Sequence, residues 1–103
     1  MHALVIKTSV LKDNNIVIDE KCFYVDVEYV MFPVPFVNKV TFFDLHVYMY
    51  RLALSTQSVS ILGFQKHIND HLRVTFHMFD FYRDYISSDK ADSAKADYMR
   101  TCI

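Results

Sequence analysis

Along residues 22–30 the chain alternates. Phe23, Val25, Val27 and Tyr29 fall on one side, Asp26 and Glu28 on the other. A period of two marks a strand with one face in the core and one in water, so this run predicts a half-buried antiparallel strand. Upstream, Leu4, Ile6 and Val10 can share a face while Lys7 and Ser9 take the other. Lys12-Asp13-Asn14-Asn15 then supplies turn chemistry, because Asn and Asp tolerate left-handed backbone and bond locally. Ile16-Val17-Ile18 resumes a β-branched run, which predicts a hairpin. Residues 1–30 are therefore expected to form a three-stranded antiparallel sheet.

Further on the period lengthens. Ile61, Phe64, Ile68, Leu72, Phe76, Phe79, Tyr82 and Ile86 recur at steps of three and four, the spacing of an amphipathic helix. Leu72, Val74, Phe76 and Met78 also alternate with Arg73, Thr75 and His77, as in a strand. The longer period covers more of the chain and predicts helix from Ile61 to Ile86. On that helix Val74, Met78, Phe81 and Tyr85 make a second apolar stripe. A helix apolar over more than half its girth needs cover on two sides. The sheet can cover one, and a second copy of the helix can cover the other. A homodimer through Val74, Met78, Phe81 and Tyr85 is the resulting expectation.

Between these regions lies M-F-P-V-P-F-V, residues 31–37. Pro33 and Pro35 each lack a backbone donor, which excludes a central strand and predicts an extended connector over 31–40. Its large apolar side chains either cap the core or, at Phe32 and Phe36, meet a partner. Thr41-Phe42-Phe43-Asp44 has the form of a capping box, with Leu45, Tyr48, Met49 and Leu52 behind it at helical spacing. Val47, Met49 and Arg51 keep a strand open there. Ser55-Thr56-Gln57-Ser58 breaks the pattern and could cap another helix. The tail predicts a short, frayed helix capped by Asp89, with Ala91, Ala94 and Tyr98 as a thin apolar stripe. The expected fold is α+β in one domain: sheet 1–30, connector 31–40, a helical part 41–88 and a tail helix 89–103. The three-stranded sheet would pack on the long C-terminal helix, with one or two shorter helices beside it.

Composition adds a surplus. The 103 residues are 52% hydrophobic and 16% aromatic, rich for so small a chain. Apolar surface left over after core formation points to a protein partner. Charge is nearly balanced, 11 Lys+Arg against 12 Asp+Glu, and the basic residues are scattered without forming the patch that phosphate binding needs. Nucleic acid is not an expected partner. Two cysteines, Cys22 and Cys102, form no C-x-x-C and suit free thiols in a reducing compartment. No apolar run approaches membrane-spanning length, and the start lacks secretory-signal chemistry. A cytoplasmic protein without membrane contact is expected.

The single glycine, Gly63, excludes a P-loop, a dinucleotide fingerprint and a G-x-S-x-G elbow, each of which needs at least two. H-I-N-D-H, residues 67–71, is the local pattern with a catalytic reading. His67 and His71 stand one turn apart and could hold zinc, with Asp70 activating a water. A third ligand would have to come from His46, His77 or Asp84 through the fold. Alternatively, both histidines flank the apolar stripe, stacking on aromatics or pairing with Asp70. Asp70, Arg73, His77, Asp80 and Asp84 also form a ladder at three- and four-residue steps, either a solvated face or a docking surface. The expected function is a non-enzymatic protein-interaction module without cofactor. It would block or adapt a partner protein, as accessory or inhibitor proteins of viruses and mobile elements do. The alternatives are a zinc-dependent hydrolase or metal sensor at His67 and His71, and nucleic-acid binding.

Overall fold

The computed structural model describes residues 2–51 and 60–103. Among them there is no strand, and every regular element is helical. The expected α+β fold with its three-stranded sheet is therefore corrected to an all-helical one. In order along the chain come α1 (Thr8–Asp13), α2 (Asp26–Met31), a 3₁₀ turn (Val34–Phe36), α3 (Ile61–Lys66), α4 (Ile68–Ile86) and α5 (Ser93–Cys102).

The turn residues expected to join two strands end a helix instead. Asn15 takes a left-handed φ of 50°. The Ile16 amide donates to the Leu11 carbonyl at 3.0 Å and the Asn15 amide to the Lys12 carbonyl at 3.2 Å. That pair of bonds is a Schellman cap, which satisfies carbonyls a helix end leaves orphaned. The Asn14 side chain adds a bond to the Val10 carbonyl at 2.8 Å. The same chemistry that suits a hairpin turn thus closes α1.

The alternating run 22–30 is also helical in its second half. Asp26 and Glu28 lie in the first turn of α2, where the helix dipole favours acids. Lys21 and Tyr24, at φ 57° and 70°, bend the chain before it. Pro33 and Pro35 then end the helix and shape the 3₁₀ turn, and the Lys95 ammonium donates to the Pro35 carbonyl at 3.0 Å. Over so few residues a period of two and one of 3.6 both fit. The change of period moves Glu28 from the outer face of a strand to the core face of a helix, beside Met31 and Phe32.

The long helix forms as its spacing indicates, with one break. Ser60 caps α3 by accepting the Gly63 amide at 3.1 Å. His67, at φ −116° and ψ 24°, then separates α3 from α4. Residues 72–81 are helix throughout. The tail helix is capped by Asp92, not Asp89, through the Lys95 amide at 3.0 Å. Tyr85 fixes its start by accepting the Asp92 amide at 2.8 Å.

The core is small and rich in methionine. Met31 and Phe32 of the α2 end, Val74 and Met78 of α4, and Met99 of α5 are buried together. Ile16, Cys22, Val25, Val27, Val34, Phe81, Tyr82, Tyr85 and Cys102 pack around them. Methionine fills the irregular gap where helices of unequal length meet. Phe32 is a core residue, 3% exposed, and so is not offered to a partner, whereas Phe36 is 39% exposed. Residues 37–51 carry no regular element, with Phe42, Phe43, Leu45, Val47 and Met49 all exposed. The helical part expected from residue 41 thus begins, among the described residues, at Ile61. The expected cap at Ser55-Thr56-Gln57-Ser58 lies outside the described residues, as does Leu52.

Candidate functional site

Two features of α4 stand apart from ordinary core packing. The first is its bare apolar face. At about 100° per residue, Ile68, Leu72, Phe76, Phe79 and Ile86 lie within an arc of about 80°. All are exposed, Leu72 by 46%, Phe79 by 51% and Phe76 by 64%. Val74 and Met78, on the far side of the helix, are buried, and Phe81 and Tyr85 pack against them. The stripe expected to meet a second copy is thus taken up by the chain's own core. Of the stripe expected to lie under a sheet, Tyr82 packs on the core, while the five residues named above stay exposed among the described residues.

The second is a polar junction on the flank of α4, where loop 16–25 and α2 meet it. His77 Nδ1 lies 2.9 Å from Glu28 Oε1 and 3.7 Å from Asp19 Oδ1. Glu28 is fully buried, and its Oε2 accepts the Asp19 amide at 2.7 Å. Arg73 Nε lies 3.3 Å from Asp19 Oδ2. One turn further back, Asp70 accepts the Phe23 amide at 3.3 Å and approaches His67 at 3.6 Å. The expected ladder therefore divides. Asp70, Arg73 and His77 fasten the loop and α2 to α4, while Asp80 and Asp84 stay in solvent with Arg83 between them, at 3.0 and 3.6 Å.

His67 and His71 each have local partners. His67 lies over Phe23 with ring centroids 3.7 Å apart. His71 meets Tyr24 edge-on at 5.3 Å, and its Nδ1 is 3.3 Å from the Thr75 hydroxyl. Among the described residues, the group of three ligating side chains that converge does not include them; it is Asp19, Glu28 and His77. Sequence reading had singled out His77 but neither carboxylate. The signal for Glu28 was the proline pair, which favours a helix end over a strand and so turns Glu28 inward.

Neither thiol is set up as a nucleophile. Burial pushes the Cys22 thiol above its ordinary range, and the Asp19 carboxylate adds to the rise. Burial likewise raises Cys102. A recess of about 80 Å³ lies between α2, α4 and the C-terminus, lined by Tyr24, His71, Thr75 and Cys102 among others. Substrate pockets start at roughly 300 Å³. A more open depression of about 440 Å³, lined by His2, Leu4, Ile18, Val25, Asp26 and Tyr29, is largely apolar.

No helix among the described residues is long and apolar enough to cross a membrane. No family model matches the chain, and neither the curated proteins nor the solved structures yield a match.

Proposed function

We propose that the protein is a non-enzymatic binding module that works by covering a protein surface, and that its first partner is a second copy of itself. The observation that carries this is the row Ile68, Leu72, Phe76, Phe79 and Ile86 on its longest helix, exposed among the described residues and interrupted only by Arg83. Side chains of this size at half exposure leave roughly 100 Å² each. Pairing two such faces removes on the order of 1,000 Å² from water, the lower bound for a specific interface.

The charges favour an antiparallel pair. A two-fold axis across the middle of the stripe brings Ile68 over the partner's Ile86. It also sets Arg73 level with the partner's Asp80 on the same flank. Arg73 engages Asp19 through Nε while its side chain remains 58% exposed, so its outer nitrogens can reach that carboxylate. Arg83 stands within the stripe, where its methylenes can cover the partner's Leu72 while the charged head turns aside to Asp80. The two free cysteines, both with raised pKa, suit a reducing compartment such as the cytoplasm.

Light scattering after gel filtration tests the reading. Wild type should elute as a dimer at micromolar concentration, and Phe76→Lys as a folded monomer by circular dichroism. A wild-type monomer, or a dimer that persists in both Phe76→Lys and Leu72→Lys, would overturn it.

A further inference from the structure

We propose that Asp19, Glu28 and His77 form a binding site for a divalent transition-metal ion of the zinc type. The three side chains come from separate parts of the chain, a loop, α2 and α4, and one ligand atom of each lies within 4.8 Å of the other two. Ligands held at about 2.0–2.2 Å around one zinc ion stand roughly 3–3.6 Å apart. His77 Nδ1 is 2.9 Å from Glu28 Oε1 and 3.7 Å from Asp19 Oδ1. Two of the three separations are thus close to those around one ion, and the third, within 4.8 Å, is brought in by small side-chain shifts.

The outer contacts are divided in the way a metal site needs. Each carboxylate has one oxygen tied to an outer partner and the other turned to the shared point. Glu28 Oε2 takes the Asp19 amide and leaves Oε1 inward. Asp19 Oδ2 takes Arg73 Nε and leaves Oδ1 inward. Outer hydrogen bonds of this kind orient ligands and raise metal affinity. The ion displaces the His77–Glu28 hydrogen bond, with the neutral imidazole ligating through Nδ1 and keeping its proton on Nε2.

Charge and donor type point the same way. Two carboxylates gather at a point where one of them, Glu28, is wholly buried. A buried charge demands a counter-charge, and His77 supplies one only when protonated. Arg73 already pairs with Asp19, so the charge left without a permanent partner is that of Glu28, and a divalent ion supplies that partner with the imidazole neutral. One nitrogen with two oxygens suits zinc, cobalt or manganese better than calcium or magnesium, which favour oxygen alone. His77 is 44% exposed, so the open position of the ion faces solvent and takes a water. Because the ligands bridge the loop and two helices, the ion also staples the N-terminal third of the chain to α4.

The test is calorimetric titration of the chelator-treated, untagged protein with zinc chloride, with thermal melts in parallel. One zinc per chain and a higher Tm are expected. His77→Gln should abolish binding, and Arg73→Ala, which removes an outer contact, should weaken it about tenfold. His71→Ala should leave it unchanged. If His77→Gln does not fold by circular dichroism, Asp19→Asn provides the same comparison from the loop side. Absence of binding to the folded wild type at millimolar zinc overturns the proposal. So does binding that survives the His77 or Asp19 change, or that is lost only with His71, which would move the ion to H-I-N-D-H.

Discussion

Glu28 shows how a single residue's role depends on the period of its neighbours. Read as one of an alternating row it belongs to water; read at helical spacing it lies with Met31 and Phe32 and becomes the buried end of the polar junction. Its partners Asp19 and His77 are 9 and 49 residues away. No local pattern announces such a cluster, because it exists only once loop, α2 and α4 have met. The residues of H-I-N-D-H were legible as a group, but their partners Phe23, Tyr24 and Thr75 were not. The thiols make stability depend on pH. Burial raises Cys102 and Cys22 above their ordinary value of 9.0. The folded state then holds protons that the unfolded state releases, so stability is full below about pH 9 and falls as pH rises through the higher folded values. The urea midpoint should drop between pH 8 and pH 10.5, and the drop should shrink in Cys102→Ala. An equal drop in that variant would show that the thiol contributes nothing. Alkylation by iodoacetamide at pH 7.5 should likewise be slower in native protein than in urea.

Among the elements, the helices with the longest repeating pattern are the readable ones. Residues 61–86 repeat their period often enough to outvote the strand alternation at 72–78, and α3 and α4 form there with a single break at His67. The N-terminal third failed for the opposite reason. Helix α1 and helix α2 have six residues each, fewer than two turns, so propensity and alternation could not separate them from strands. What stabilises them is the Schellman closure at Asn15 and the burial of Met31, both tertiary or turn-level facts. The tail helix was foreseen in kind but not in weight. Its expected stripe of Ala91, Ala94 and Tyr98 omits Met99, which is wholly buried against α2 and α4, while Tyr98 is 48% exposed. Met99→Ala should therefore cost about 2–5 kcal/mol in urea denaturation, the range for emptying a core site. Asp92→Ala, which removes only the cap, should cost about 1 kcal/mol. A Met99→Ala cost no larger than that of the cap would mean that α5 merely decorates the fold.

For the whole molecule, size and shape bear on the pairing proposed for the exposed face of α4. The radius of gyration is 15.1 Å, against about 13 Å for a compact chain of this length. A small methionine core and an open outline sit beside a long row of exposed apolar side chains. A core of this size leaves the fold marginally stable, and binding of a second copy to the folded chain adds to that stability. If a second copy covers α4, folding and pairing are linked by mass action, and stability must rise with protein concentration. Tm should increase steadily between about 1 and 100 µM chain at fixed buffer and scan rate. In Phe76→Lys the dependence should vanish and Tm should settle near or below the wild-type value at the dilute end. A concentration-independent Tm in wild type would mean that the monomer is complete in itself and that the apolar row awaits a different protein. Addition of zinc separates the two effects: an ion at Asp19, Glu28 and His77 binds within one chain, so it should raise Tm in Phe76→Lys as well.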